Sequence, residues 1–161
     1  MNPHVEDTRL RVAAYALVRA DASILLTRIP PHGQVFTPGT WHLPGGGLLP
    51  GEQPADALKR ELFEETGRAV DTAKLLDAGV YQIPHGTFAW NIMALIYDVE
   101  LRPAEPAPPR GSHQGVEYSW IDLQAAATYD LTPVTRDALR LLERGMDMRE
   151  SAAFPQPLPP A

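Results

Sequence analysis

With 161 residues, 44% of them hydrophobic, the chain has the length for one domain with a full core, and a second domain is not expected. Its net charge of −6, without any basic block, argues against binding of a nucleic-acid polymer through its backbone, and the absence of cysteine excludes disulfides and thiolate metal sites. No apolar run approaches the roughly 20 residues that span a bilayer, and the first residues lack a signal-peptide pattern, so we expect a cytoplasmic protein without a membrane partner.

Strand-forming residues dominate the first part of the chain. The runs 10–20 and 23–29 are separated by a two-residue connection, which predicts two strands joined as a hairpin. Proline and glycine make 30–40 a predicted loop. A short strand over 41–43 is then expected to lead into a glycine turn over 44–47.

The first predicted helix begins at Pro54 and runs to about Thr66. Proline is favoured in the first turn of a helix, and Asp56 lies near the positive end of the helix dipole. Gly67 follows as a natural stop, because glycine readily adopts the left-handed conformation in which many helices end.

Two strands are predicted after this helix, over 75–83 and 87–101, and the intervening proline and glycine join them through a turn. A surface loop is expected over 102–115, which mixes proline, glycine and charge. The segment 116–121 predicts a further strand. Strands that flank a helix indicate a mixed α/β domain.

The last part of the chain predicts two helices, over 122–129 and 132–145. Thr132 is a suitable N-cap for the second, and Pro133 a suitable first-turn residue. The proline-rich end, 150–161, is expected to be an extended tail, which leaves 1–149 as the single domain.

The helix over 54–66 carries three glutamates, Glu61, Glu64 and Glu65, within one arc of about 100°. The adjoining arc carries the apolar residues that are expected to face the core: Ala55, Leu58 and Leu62. Like charges at this spacing repel by a few tenths of a kcal/mol per pair. Crowded beside the core, they favour a counter-ion, for which a hard divalent cation is suited.

The alternative for the three glutamates is a solvated acidic helix face. The segment before the helix favours a site instead, because three consecutive glycines (45–47) are costly to order and allow backbone carbonyls to approach a metal or phosphate closely. An acidic site of this kind accommodates a small phosphorylated ligand when divalent cations bridge carboxylate and phosphate. Arg60, four residues before Glu64, is placed to brace one carboxylate.

The residues from Gly46 to Arg68 resemble the Nudix box of the Nudix hydrolases, G-x5-E-x7-R-E-U-x-E-E-x-G-U, where U is a bulky aliphatic residue. Gly46 and Glu52 occupy the first two fixed positions, and residues 60–67 supply the others. The last position departs from the pattern, since Arg68 stands where the family has an aliphatic residue with a structural role. The resemblance implies an α/β fold, a Nudix-like α/β/α sandwich with a mixed central sheet.

The resemblance also implies a Mg²⁺- or Mn²⁺-dependent pyrophosphohydrolase that cleaves the diphosphate linkage of a small nucleoside diphosphate derivative. ADP-ribose or a nucleotide sugar is favoured, because relatives that cleave ADP-ribose often carry a proline beyond the box, where this chain has Pro84; a plain turn explains Pro84 as well. The enzymatic alternatives are a nucleoside triphosphate sanitising pyrophosphatase and a dinucleoside polyphosphate hydrolase. A ligand-sensing Nudix domain is the non-enzymatic alternative. The resemblance is compatible with a homodimer.

Carried over by motif position, the resemblance implies a metal site and an ion pair that supports it. Four groups are expected to bind the metal: the backbone carbonyl of Gly46 and the carboxylates of Glu61, Glu64 and Glu65. Glu61 or a neighbouring carboxylate would also orient or deprotonate the attacking water. The supporting ion pair would join Arg60 to Glu52.

Further site residues are expected outside the box. Glu117 is the candidate for an additional metal-binding carboxylate, with His113 as a second choice, and the alternatives are an exposed strand glutamate and a solvated loop histidine. His42 is either a satisfied structural histidine or part of the pocket. Four residues are candidates for contact with the substrate: Arg28, Tyr81, Phe88 and Trp90. A surface ion pair for the arginine and core packing for the aromatics are their alternatives.

Overall fold

A computed structural model describes residues 7–104 and 109–144. These residues form eight strands and three helices in the following order: β1 (Thr8–Ala20), β2 (Ser23–Arg28), β3 (Trp41–His42), β4 (Gly45–Gly47), α1 (Pro54–Thr66), β5 (Val70–His85), β6 (Phe88–Leu101), β7 (Arg110–His113), β8 (Val116–Asp122), α2 (Leu123–Ala126) and α3 (Pro133–Glu143). No helix among them is long and apolar enough to cross a membrane.

The predicted hairpin of β1 and β2 is present, but the two strands separate soon after their turn. They pair at Arg19 with Ile24 and at Ala20 with Ser23. Farther from the turn, β1 pairs in parallel with β6 and antiparallel with β4, whereas β2 pairs antiparallel with β3 and β8. The main path of the sheet runs β5-β6-β1-β2-β8-β7. Parallel and antiparallel pairs together confirm the predicted mixed central sheet.

Two clusters of buried apolar residues lie on the two faces of this sheet. One packs beneath α1 and includes Leu58 and Leu62 with Val18 of β1. The other packs beneath α3 and includes Val134 of α3 with Leu17 of β1. Adjacent strand residues point to opposite faces, so β1 contributes to both clusters. Helices cover the sheet on both sides, as in the predicted α/β/α sandwich.

Strand β5 begins at Val70, earlier than the predicted start at 75. It pairs with β6 from Val70–Leu101 to His85–Phe88, with register shifts between Val70 and Thr72 and between Leu75 and Asp77. Most of its first residues are exposed. An exposed edge strand shows little hydrophobic alternation, which is why the sequence pattern missed its beginning.

Three sequence predictions need correction. The glycines predicted as a turn form strand β4, which pairs with Ala13, Ala14 and Tyr15 of β1. The predicted loop 102–115 contains β7, which pairs with β8. The helix predicted over 122–129 is limited to the four residues of α2. The predicted tail, 150–161, and the predicted domain limit at 149 lie outside the described residues.

Candidate active site

Helix α1 carries the acidic residues to the opening between β1 and β2. Pro54 stands in its first turn, and Gly67 ends it with φ +72°, its N–H donating to the carbonyl of Phe63 at 2.8 Å, as the sequence predicted. The buried residues of the helix are Ala57, Leu58, Leu62 and Thr66. Ala55, expected on the buried face, is half-buried, and Ala57 takes its place. The glutamates lie beside this buried stripe, as predicted.

Glu65 is the most deeply enclosed carboxylate of the site. Its Oε2 accepts hydrogen bonds from the Thr27 hydroxyl and from the backbone N–H of Gly45, both at 3.2 Å. Burial raises the pKa of Glu65 well above its ordinary value, and the charge of nearby Glu61 raises it further. A contact between the two carboxyl groups acts in the same direction. Glu61 and Glu65 therefore form a crowded pair that a cation between them stabilises.

Glycine at position 46 makes room for this pair. A Cβ atom on Gly46 would lie 2.8 Å from the carboxyl carbon of Glu61 and 2.9 Å from each of its oxygens. Only a residue without a side chain lets β4 pass this close to the carboxylate. The glycines of β4 thus bring the backbone against the acids, as the sequence argument anticipated.

Arg60 holds the acids from the outer side. Its guanidinium donates to Glu52 at 2.7 and 2.8 Å, to Glu61 at 2.9 Å and to the carbonyl of Gly47 at 3.2 Å. Its contact with Glu64 is longer, at 3.4 Å. The expected ion pair of Arg60 with Glu52 is present, and it is bidentate, which fixes the plane of the guanidinium.

The electrostatics of Glu52 follow from this pairing. Hydrogen bonds from Arg60 and then from the backbone N–H of Leu49 lower the pKa of Glu52 to about 2. The same partnership raises the pKa of Arg60. Both groups are charged at neutral pH, so an ion pair joins the segment before α1 to α1, and the hydrogen bond from Arg60 to the Gly47 carbonyl adds β4.

A divalent cation fits the pair of Glu61 and Glu65 better than it fits all three glutamates together. The side chain of Glu64 is 47% exposed and points to the rim. Across residues 7–104 and 109–144, no three acidic or histidine side chains are grouped closely enough to hold a metal ion. The half-buried carboxylates of Glu61 and Glu65 and the nearby backbone oxygens of β4 are hard ligands of the kind that Mg²⁺ and Mn²⁺ prefer. Glu64 reaches such an ion only after a side-chain rotation.

These acids line a cavity of about 250 Å³. Its walls are formed by β2 and the two residues after β2, by β3 and β4, by α1, and by β8 with the turn before it. The lining residues are Thr27, Arg28, Ile29, Pro30, His42, Gly45, Glu61, Glu64, Glu65, Gln114 and Val116. Arg28, a predicted substrate residue, is therefore beside the acids. Thr27 was not predicted, and His42 was left unassigned. Each is a polar residue next to apolar residues (24–26 before Thr27; 41 and 43 on either side of His42), a signal that the sequence predictions did not use.

Glu117 lies beyond Arg28 and not among the residues of this cavity. Its carboxylate contacts the Arg28 guanidinium at 3.4 Å, and both line a neighbouring cavity of about 390 Å³. The adjacent Tyr118 packs against the cluster beneath α1, so Glu117 points to the other face of β8. Arg28 and Glu117 thus form a surface ion pair, which was the alternative to a substrate contact for Arg28.

The three aromatic candidates do not line the acidic cavity. Tyr81 donates a hydrogen bond to Asp137 of α3 at 2.8 Å, on the α3 side of the sheet. Phe88 lies beneath the guanidinium of Arg9, 3.8 Å from the ring centre, and contacts Trp90 edge-on. Trp90 packs against the core, and its buried Nε1 has no hydrogen-bond partner in the part of the chain that the structure describes.

His113 contacts the end of α1. Its Nδ1 lies 2.8 Å from the backbone carbonyl of Glu64, and its ring packs against Phe63. Carbonyls in the last turn of a helix lack helical partners. The contact therefore ties the hairpin of β7 and β8 to the helix that carries the acids.

Comparison with known proteins agrees with the fold and the motif. The NUDIX domain family profile matches residues 8–142. The chain belongs to the Nudix hydrolase family. It is 32% identical over 140 residues to a protein named nucleoside triphosphatase NudI of Escherichia fergusonii, covering 83% of this chain and 96% of that protein. A protein of the same name from Salmonella arizonae is 31% identical over 137 residues, with the same shares covered.

Solved structures show the same architecture. The crystal structure of a MutT protein from Methanosarcina mazei matches with a TM-score of 0.67 and 24% identity, covering 86% of this chain and 96% of that one. A Nudix hydrolase from Nitrosomonas europaea matches with a TM-score of 0.63 and 22% identity, covering 85% and 90%. The chain is thus a Nudix hydrolase that acts on phosphoric anhydrides, and the sensing alternative is set aside.

Proposed function

We propose that the protein is a divalent-metal-dependent pyrophosphohydrolase of nucleoside triphosphates. The observation that carries the proposal is the half-buried, mutually repelling pair of Glu61 and Glu65 beside a glycine strand, in a chain that matches nearly the full length of relatives named nucleoside triphosphatases. Those names fit the triphosphate alternative better than ADP-ribose or a nucleotide sugar. ADP-ribose was favoured only because of Pro84. Pro84 pairs with Ala89 beside the tight turn that joins β5 and β6, and a proline is expected at such a turn whatever the substrate.

The carboxylates of α1 and strand β4 form the proposed metal site. We assign Glu61 and Glu65, with the backbone carbonyl of Gly46, as ligands of Mg²⁺ or Mn²⁺, and Glu64 as a ligand at the rim. Bound there, such an ion lowers the pKa of a water ligand and neutralises the oxygens of the substrate's phosphates. Ionised Glu65 is destabilised by burial and by Glu61, which is the electrostatic condition that favours cation uptake.

Each remaining residue has a separate proposed role. Arg60 and Glu52 hold Glu61 in position through the hydrogen bonds described above. Glu64, besides its place at the rim of the metal site, has a half-exposed side chain that Arg60 holds only weakly at 3.4 Å, and it is the carboxylate best placed to accept a proton from the attacking water. Arg28, which also lines the cavity, supplies positive charge for a phosphate oxygen.

A substrate panel tests the proposal. Nucleoside triphosphates, ADP-ribose, nucleotide sugars and dinucleoside polyphosphates are each assayed with Mg²⁺, with Mn²⁺ and with EDTA, and the phosphate products are identified. We expect the highest kcat/KM with a triphosphate, release of diphosphate, and no turnover in EDTA. Faster cleavage of ADP-ribose or of a dinucleoside polyphosphate contradicts the substrate assignment.

Variants of α1 test the site within the same assay. Glu64→Gln and Glu65→Gln keep the size of each side chain and remove its charge, and we expect at least a hundredfold loss of kcat. Asp56→Asn is the matched control, because Asp56 is an exposed carboxylate on the first turn of the same helix. Equal rates for Glu65→Gln and Asp56→Asn would show that the acids do not form the active site.

A further inference from the structure

His42, on β3, is one of the residues that line the acidic cavity. It is 3% exposed, and it stands opposite Thr27 in the pairing of β2 with β3. The rings of Tyr15 and Phe36 pack against it at centroid distances of 4.4 and 4.7 Å. Thr27 in turn donates to Glu65. His42 is therefore a fixed part of the cavity wall, next to the residues that hold the buried acid.

Two threonine hydroxyls occupy one side of the imidazole. Nδ1 of His42 lies 2.5 Å from Oγ1 of Thr132 and 3.2 Å from Oγ1 of Thr135, and the two hydroxyl oxygens are 2.9 Å apart. The Thr135 oxygen also accepts a hydrogen bond from the backbone N–H of Leu43 at 2.9 Å. Both threonines are buried, so their hydroxyl protons need acceptors within the protein.

Counting donors and acceptors selects one tautomer of His42. If Nδ1 accepts, Thr135 donates to Thr132, Thr132 donates to Nδ1, and both hydroxyl protons are used. If Nδ1 carries the proton and donates to Thr132, then Thr132 donates to Thr135 and the Thr135 proton is left without an acceptor. A buried hydroxyl without an acceptor costs roughly 1–3 kcal/mol. The network therefore places the imidazole proton on Nε2.

The Nε2 atom is buried and has no hydrogen-bond partner among the described residues. Burial also lowers the pKa of His42 to about 3, so the ring is neutral at physiological pH. His42 is thus a neutral hydrogen-bond donor in a residue that lines the acidic cavity, and none of the proposed catalytic roles involves it.

We propose that Nε2–H of His42 donates a hydrogen bond to an acceptor atom of the bound nucleotide, either a phosphate oxygen or an oxygen or nitrogen of the base. The Thr132–Thr135 pair at the start of α3 orients the ring for this contact. The proposal rests on the proposed function, because the acceptor belongs to the nucleotide. It makes His42 a binding residue and the two threonines positioning residues.

Nitrogen-15 NMR of histidine-labelled protein tests the tautomer without any turnover. We expect the protonated-nitrogen signal of His42 at Nε2 and the unprotonated one at Nδ1. Addition of a non-hydrolysable nucleoside triphosphate is expected to shift the Nε2 signal more than the Nδ1 signal. A proton on Nδ1, or an Nε2 signal that does not respond at saturating ligand, overturns the proposal.

Kinetics test the contact in the active enzyme. His42→Phe removes the donor and keeps a planar ring, and it is expected to lower kcat/KM by about tenfold to a hundredfold, as expected for loss of one hydrogen bond to a charged or polar acceptor. Thr135→Val keeps His42 but removes the hydroxyl that favours the Nε2–H tautomer. We expect NMR signals of both tautomers and a smaller loss of kcat/KM than in His42→Phe. Unchanged kcat/KM for His42→Phe overturns the proposal.

The substrate panel identifies the acceptor. A loss in His42→Phe that is equal for all four bases and for inorganic tripolyphosphate assigns a phosphate oxygen, whereas a loss that depends on the base assigns the base. If the wild-type enzyme cleaves no triphosphate, the proposed function fails by itself. The response of Nε2 to each nucleotide of the panel then still decides the assignment of His42.

Discussion

Replacing Gly46 with alanine separates catalysis from folding. The new Cβ would lie 2.8 Å from the carboxyl carbon of Glu61, whereas ordinary contact begins at 3.4 Å, so the carboxylate must move by about 0.6 Å or more. The group that must move is the end of a side chain and not backbone, so we expect the free energy of unfolding to change by less than about 1 kcal/mol. A misplacement of about 1 Å in an active site costs on the order of a hundredfold, and we therefore expect kcat to fall by about tenfold to a hundredfold.

Steady-state kinetics and thermal unfolding of the same preparation check this prediction. Gly45→Ala is the contrasting variant, because Gly45 has φ +141° and its Cβ would lie 2.1 Å from the backbone oxygen of Ala14. We expect that variant to lose roughly 3 kcal/mol or more of stability. A Gly46→Ala enzyme with wild-type kcat, or one as unstable as Gly45→Ala, would refute the geometry argued for the glycine strand and Glu61.

Three further predictions concern stability. The pKa of His42 is about 3 in the folded protein, below the unfolded value of 6.5. The stability that this difference contributes is therefore present above pH 6.5 and is lost as pH falls towards 3, at up to about 1.4 kcal/mol per pH unit. In urea unfolding, the free energy of unfolding should fall more steeply with decreasing pH for wild type than for His42→Gln, and parallel curves would contradict the prediction. The lowered pKa of Glu52 gives stability that is present above pH 4.5 and lost as pH falls through about 2. Glu52→Gln should therefore be less stable than wild type at pH 7, and the difference should shrink as pH falls towards 2. A difference that stays constant with pH would contradict the ion pair with Arg60. Tyr81→Phe removes the hydrogen bond to Asp137 and should lower the free energy of unfolding in urea by about 1 kcal/mol. We expect its kcat/KM to be unchanged. A large loss of kcat/KM would instead assign Tyr81 to the substrate site.

Local sequence signals predicted the helix of the site well. Proline at its start and glycine at its end are backbone preferences that do not depend on distant parts of the chain, and α1 has the predicted bounds of Pro54 and Thr66. The spacing of Glu61, Glu64 and Glu65 likewise depends only on helix geometry, and the structure places all three beside the buried stripe. The pairing of Arg60 with Glu52 was implied by the motif and is present.

Features set by long-range packing were not predictable in this way. The glycines of β4 form a strand because β1 lies beside them, and a turn and an isolated strand of glycines look alike in sequence. The network of His42 joins residues separated by 90 and 93 positions. Glu117 was chosen by its place in a late strand, but the alternation of β8 turns its side chain to the other face.

Binding of Mn²⁺, followed by the loss of its free-ion EPR signal, tests the central claim most directly. We expect the wild-type protein to bind Mn²⁺ without nucleotide and Asp56→Asn to bind it equally well. The double variant Glu61→Gln/Glu65→Gln should not bind Mn²⁺ at the same concentrations. Equal Mn²⁺ binding by wild type and the double variant would contradict the proposal that the carboxylates of Glu61 and Glu65 form the metal site.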